Sequence, residues 1–229
     1  LSGTINYSGD CSSLDTSADA DNNTITFNAL SEGPHTNCKI SVTSSASGYT
    51  SDNLSVDNFT IDTTAPSLAA TTLVPSLTND NTPNYTFSSN EAGTITYGGN
   101  CSSSTTAAAA DNNTITFNAL GDAQHANCNI TVRDNAGNTS STLDVNSFTI
   151  DTTAPSLGQV TAVSTPDNDS TPSYTFSSTE AGVITYSGGC GSSSSSATSG
   201  NNTVILTQSD NSTALSDATY NCTIRVTDN

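Results

Sequence analysis

Methionine and tryptophan are absent from the 229 residues, and lysine and arginine together number only 3. Against them stand 21 aspartates and glutamates, a formal net charge of −18. Nucleic acid is therefore excluded as a partner, because phosphate binding depends on clustered Lys and Arg. The same shortage removes attraction to an anionic membrane surface. No apolar run approaches the roughly 20 residues of a membrane-crossing helix, so no direct insertion of this segment is expected. Neither a basic nor an apolar signal region follows Leu1, which falls in mid-pattern. That start leads us to expect an internal piece of a longer mature protein. Helical periodicity is missing too: Ala107 to Ala110 has a helix-forming composition but is too short to hold a helix.

What is present is polar. Serine and threonine make 78 residues and asparagine 26, a mixture that resembles disorder until the apolar residues are located. They recur in register. FTIDTTAPS stands at 59–67 and 148–156, PNYTFSSNEAGTITY at 83–97 returns as PSYTFSSTEAGVITY at 172–186, and DNNTITFNAL occurs identically at 21–30 and 111–120. NCKISV, NCNITV and NCTIRV begin at 37, 127 and 221. A fixed period near 90 residues marks a tandem array. The expected domains are a partial repeat over 1–61 lacking its front strands, a complete repeat over 62–150, and a third over 151–229 lacking its last strand.

Within a repeat the period is two. Tyr85 and Phe87 flank Thr86, Ile95 and Tyr97 flank Thr96, Ile115 and Phe117 flank Thr116, and Phe148 and Ile150 flank Thr149. Cys128, Ile130 and Val132 alternate with Asn129 and Thr131. Alternation places the apolar set on one face of a strand and the Thr/Asn set on the other. Short alternating runs punctuated by Gly, Pro, Asn and Asp predict an all-β chain of small β-sandwiches.

The six cysteines fall two per repeat: Cys11 and Cys38, Cys101 and Cys128, Cys190 and Cys222. One disulfide per repeat is expected, since a zinc site needs about four ligands at close spacing. Closing loops of this length would stabilise each domain by about 3–4 kcal/mol on the chain-entropy model. The Ser runs at 102–104 and 192–196, each just after a first cysteine, are expected as flexible loops. The Asp-rich strings at 19–23 and 167–170 lack the Gly and terminal Glu of a calcium loop and are read as turns. His35 and His125 recur at equivalent positions, but the third repeat has no histidine and no Ser-His-Asp grouping is discernible. A non-enzymatic protein is expected.

The linker Asp-Thr-Thr-Ala-Pro (62–66, 151–155), the Asn-Glu-Ala-Gly corner (90–93) and the Arg-Asp-Asn-Ala-Gly-Asn turn (133–138) resemble bacterial immunoglobulin-like repeats of large secreted surface proteins and adhesins. The resemblance covers nearly the whole chain and implies tandem immunoglobulin-like sandwiches. It also implies a secreted, extracellular or cell-surface location and an extender role in a stalk or fibre. Two alternatives stand beside that role. One is a ligand-binding adhesin module acting through loops such as 102–110 or 191–200, with a host or surface ligand. The other is a subunit of a self-assembling filament, with other copies as partners. In the extender reading the partners are neighbouring repeats of the same protein. With only Lys39, Arg133 and Arg225 to cut, trypsin-like proteases find few sites. Durability under selection and simple compositional drift both account for that.

In such a sandwich the entering linker, the second turn and the penultimate turn meet at one pole. In the middle repeat they supply Asp62, Glu91 and Asp134, and in the third Asp151, Glu180 and Asp228. Asp80 would approach the second of these junctions from the preceding domain. Converging carboxylates repel unless a cation sits among them, and hard oxygen ligands favour Ca²⁺. The first repeat has Leu1 opposite Glu91 and Ser44 opposite Asp134, so both acids are missing together. The competing reading is that these acids are turn formers, a role Asp fills anyway.

Overall fold

The computed structural model describes residues 2–228, among which every regular element is a β-strand. No helix of the described residues is long and apolar enough to cross a membrane. The chain forms two compact units. One comprises Leu1–Leu77 with Asn81–Thr149, the other Thr78–Asp80 with Ile150–Asn229. The first unit thus holds the first sequence repeat and most of the middle one; the second unit holds the third.

In the first repeat the strands are β1 (Gly3–Ser8), β2 (Ser17–Ala18), β3 (Gly33–His35), β4 (Lys39–Ser44), β5 (Leu54–Ser55) and β6 (Phe59–Ile61). They form an antiparallel sheet in the order β2-β1-β4-β5 and a separate β3-β6 pair. Ile5 opposite Val42 and Tyr7 opposite Ile40 set the β1–β4 register.

The middle repeat is more fully paired. Its strands are β7 (Leu68–Thr72), β8 (Leu77–Thr78), β9 (Asn84–Ser89), β10 (Gly93–Gly98), β11 (Ala107–Ala108), β12 (Asp111–Thr116), β13 (Ala123–His125), β14 (Asn129–Arg133), β15 (Leu143–Asp144) and β16 (Phe148–Ile150). The sheets run β11-β10-β14-β15, β12-β9-β7 and β13-β16-β8. Every inward residue expected from the alternation except Tyr97 is buried: Tyr85, Phe87, Ile95, Ile115, Phe117, Cys128, Ile130, Val132, Phe148 and Ile150 form the core. Outward threonines pair instead, Thr86 and Thr114 standing opposite each other with hydroxyls 2.9 Å apart. Cross-strand pairs of this kind explain why threonine suits the solvent face.

The third repeat contains β17 (Leu157–Thr161), β18 (Ser173–Ser178), β19 (Gly182–Ser187), β20 (Cys190–Gly191), β21 (Ser196–Ala197), β22 (Gly200–Ile205), β23 (Thr207–Gln208) and β24 (Thr223–Thr227). They pair as β17-β18-β22, β21-β19-β24 and β20-β23. Phe176, Ile184, Ala197, Val204, Leu206 and Val226 make the core of this repeat.

Disulfides join Cys11 to Cys38, Cys101 to Cys128 and Cys190 to Cys222, with Cα separations of 5.2, 5.2 and 5.5 Å. Each lies just beyond the end of a paired ladder, β1–β4, β10–β14 or β19–β24. The approach is tight. Gly9, Gly99 and Gly188 have φ of +81°, +72° and +82°, and an added Cβ would lie 2.1, 1.9 and 1.9 Å from the carbonyl oxygen of Asn37, Asn127 and Asn221. Only glycine meets both conditions.

The serine runs depart from the flexible loops expected of them. Ser103 Oγ donates to Thr116 O at 2.6 Å, Ser192 is buried, and Ser196 begins β21. Tyr7, Tyr97 and Tyr186 each donate their hydroxyl to a carbonyl eight residues on, at Asp15, Thr105 and Ser194. Each post-cysteine loop is therefore anchored to the strand before it, a tie that composition alone does not show.

Candidate metal centre

Asp62 follows β6 in the linker, Glu91 lies in the turn between β9 and β10, and Asp134 directly follows β14. One carboxylate oxygen from each lies within 4.8 Å of the others, and Asp151, Glu180 and Asp228 make a second group of the same kind. Calcium binds oxygen at about 2.3–2.6 Å, so ligand oxygens up to about 5 Å apart can share one ion. Asp134 is 9 % exposed, and Asp62 and Glu91 are half-buried. Asp80 joins neither group; its backbone N–H donates to Thr78 Oγ1 at 3.1 Å.

The same carboxylates also shape their own loops. Asp134 Oδ1 accepts from the N–H of Gly137 at 2.6 Å and of Asn138 at 2.9 Å, while Oδ2 accepts from Asn138 Nδ2 at 3.0 Å. Burial works against the charge on Asp134, but these bonds from Asn138 and Gly137 outweigh it and hold the carboxyl below its ordinary range. Asn138 Nδ2 also donates to Asp62 O at 3.1 Å, tying linker to turn. Asp62 and Asp151 accept from the N–H two residues on, at Thr64 and Thr153. Ser89 and Ser178 donate to the carbonyls of Glu91 and Glu180, each at 2.6 Å.

The first repeat separates the two roles. Ser44 replaces Asp134 there, and its hydroxyl accepts from the N–H of Ala46 and of Ser47, each at 3.3 Å. A neutral oxygen is thus enough to close this turn. Leu1, the residue opposite Glu91, lies outside the described residues.

Sequence reasoning did not single out three residues that matter locally. Glu32 accepts from the N–H of Thr63 at 2.8 Å and from the hydroxyls of Thr63 and Thr64, clasping the linker. The Thr63 hydroxyl is the main cause of its lowered carboxyl pKa. A signal existed, since an acid recurs at the matching place as Asp122 and Asp217. Asn138 lay inside the quoted turn motif without a role. Asp210 closes the loop to Thr213 through the Thr213 hydroxyl first, then the N–H groups of Thr213 and Ser212, which draw its pKa from 3.8 to about 2. Its loop has no counterpart in the other repeats, so repetition offered no help.

His35 and His125 are structural. Their Nε2 atoms donate to the carbonyls of Ser31 and Gly121 at 2.9 and 3.0 Å, and their rings stack on Phe59 and Phe148 at 5.3 Å.

The sequence model of a family described as a bacterial Ig-like domain matches residues 65–152. No curated protein and no solved structure matches the chain. The match covers the paired core of the middle repeat and points to a structural or surface module of a generally non-enzymatic kind.

Proposed function

We propose that this chain is a non-enzymatic extender segment of a large bacterial surface protein, built from consecutive immunoglobulin-like sandwiches. In this reading the segment is extracellular and its immediate partners are neighbouring repeats. The observation that carries it is recurrence: the same linker, the same ladder-end disulfide and the same three-carboxylate pole return together along the chain. Disulfides are consistent with an oxidising, extracellular compartment.

Calcium completes the account. Bound among Asp62, Glu91 and Asp134, or among Asp151, Glu180 and Asp228, it would hold the linker acid to the two turns of the domain that the linker enters. The ion removes the mutual repulsion of the carboxylates and sets the direction in which the chain enters each sandwich. Asp134 then has two functions in one side chain, closing its turn and presenting charge to the ion.

Calorimetric titration with calcium tests the reading, comparing the unaltered chain with Glu91→Gln and Asp151→Ala. Two saturable sites are expected, one lost in each variant. Binding that survives both substitutions would place calcium elsewhere, and no binding would leave these acids as turn formers alone.

A further inference from the structure

A single asparagine holds the post-cysteine loop in the first two repeats, and seven residues stand in its place in the third. Asn28 and Asn118 donate their N–H groups to Ser12 O and Ser102 O, both at 2.8 Å, and their Nδ2 atoms to the hydroxyls of the same serines, both at 2.9 Å. The backbone on either side of this position matches between the middle and third repeats. Phe117 and Leu206 donate N–H to Pro83 O and Pro172 O, and Leu120 and Leu215 donate to Asn81 O and Ser170 O. Between these anchors the one residue Asn118 gives way to the seven residues Thr207 to Thr213. One residue is enough to fix the loop, so the added length is free for another purpose.

The insertion carries its own framework. β23 pairs with β20, Gly191 standing opposite Thr207 and Cys190 opposite Gln208. Gln208 N–H donates to Thr213 O at 2.7 Å, and Asp210 Oδ1 accepts from the N–H groups of Ser212 and Thr213 at 3.0 and 2.8 Å. Asn211 has a φ of +61°, a left-handed conformation that asparagine tolerates. Its Oδ1 accepts from Ser192 N–H at 3.2 Å, and an added Cβ at Gly191 would lie 2.2 Å from that oxygen. Beside this loop is a recess of about 550 Å³. β19 forms its other wall. That strand pairs with β24 along one edge and, along the other, with β21 through Gly182 and Val183. Past that short pairing, Thr185, Tyr186 and Ser187 line the recess.

We propose that this recess is a binding site for a neutral mono- or disaccharide. Hydroxyls of Thr185, Ser187, Ser194 and Ser209, the amide of Asn211 and the side chain of Tyr186 border it, and no lining residue is charged. Serine and threonine hydroxyls both donate and accept, as sugar hydroxyls do, and a tyrosine ring offers an apolar body to the C–H face of a pyranose. An ion finds no counter-charge on this lining, and an anion also meets the field of a chain with net charge −18. A wholly apolar ligand would strip water from the hydroxyls and return nothing. A peptide strand has too short an edge to join, since 185–187 is three residues against the five or six of a typical strand. The volume falls within the roughly 300–1,000 Å³ of small-molecule sites. None of the lining residues belongs to either carboxylate group. The site therefore adds ligand capture in the third repeat to the extender role.

The test uses the 229-residue chain in excess chelator, so that calcium at the carboxylate groups plays no part. Glucose, galactose, mannose, N-acetylglucosamine, lactose and maltose are titrated singly and followed by heteronuclear NMR. At least one is expected to bind saturably with a Kd of about 1 mM or tighter, its shifts confined to 184–195 and 207–213. Ser187→Glu places bulk and charge on the lining at an exposed position. It should weaken that binding at least about tenfold. Thr203→Glu, in the β17-β18-β22 sheet and away from the lining, should leave it unchanged. Failure of every sugar to bind, binding indifferent to Ser187→Glu, or shifts centred on other residues would overturn the proposal. Preference for glucuronic acid over glucose would also overturn it, since the lining holds no cation.

Discussion

Tyr85 has its entire side chain in the core, and its hydroxyl is buried with no hydrogen-bond partner. Burial raises its pKa, the expected sign for a group whose charged form loses water. An unsatisfied buried hydroxyl costs about 1–3 kcal/mol, while the ring supplies the packing. Tyr85→Phe is therefore expected to raise the stability of the unit by about 1 kcal/mol, read as a higher urea midpoint. A lower midpoint would mean that the hydroxyl has a partner in solution. Tyr97 is the contrasting case: its hydroxyl donates to Thr105 O and anchors the loop, so its ring stays half-buried instead of joining the core. Alternation marks both residues as inward, and only the position of the acceptor carbonyl separates them.

At the scale of the element, the ten residues Asp-Asn-Asn-Thr-Ile-Thr-Phe-Asn-Ala-Leu occur twice with different outcomes. Over 111–116 they form β12, paired to β9, with Ile115 0 % exposed and Phe117 1 % exposed. Over 21–26 no strand forms, and Ile25 and Phe27 are half-buried. Local propensity is identical, so the neighbour decides: a strand needs hydrogen bonds from a partner, and the described residues of the first repeat include no counterpart of β9. Hydrogen exchange should show the amides of 112–116 protected and those of 22–26 exchanging far faster. Equal protection would contradict the pairing. This also marks what the sequence could convey. The apolar alternation of the middle repeat, the disulfide pairs and the three acids of each pole were legible, because repetition aligns them. The clasp of Glu32 on Thr63 and the buried Ser192 were not, because they depend on where one loop lies against another.

For the whole molecule, charge and stapling pull in different directions. With a net charge of −18, neighbouring parts of the chain repel one another at low ionic strength. The disulfides hold each sandwich but cross no linker, since all three close within a repeat. The linkers at 62–66 and 151–155, which no disulfide spans, each contribute one acid, Asp62 or Asp151, to a carboxylate group. Calcium at those groups would fix the linkers and leave the sandwiches as they are. The most direct test is small-angle scattering of the 229-residue chain, first in calcium and then in excess chelator, with circular dichroism recorded on the same samples. The account predicts a stiffer and longer particle in calcium, a more variable one after chelation, and unchanged β-content throughout. Identical scattering profiles in the two conditions would contradict it.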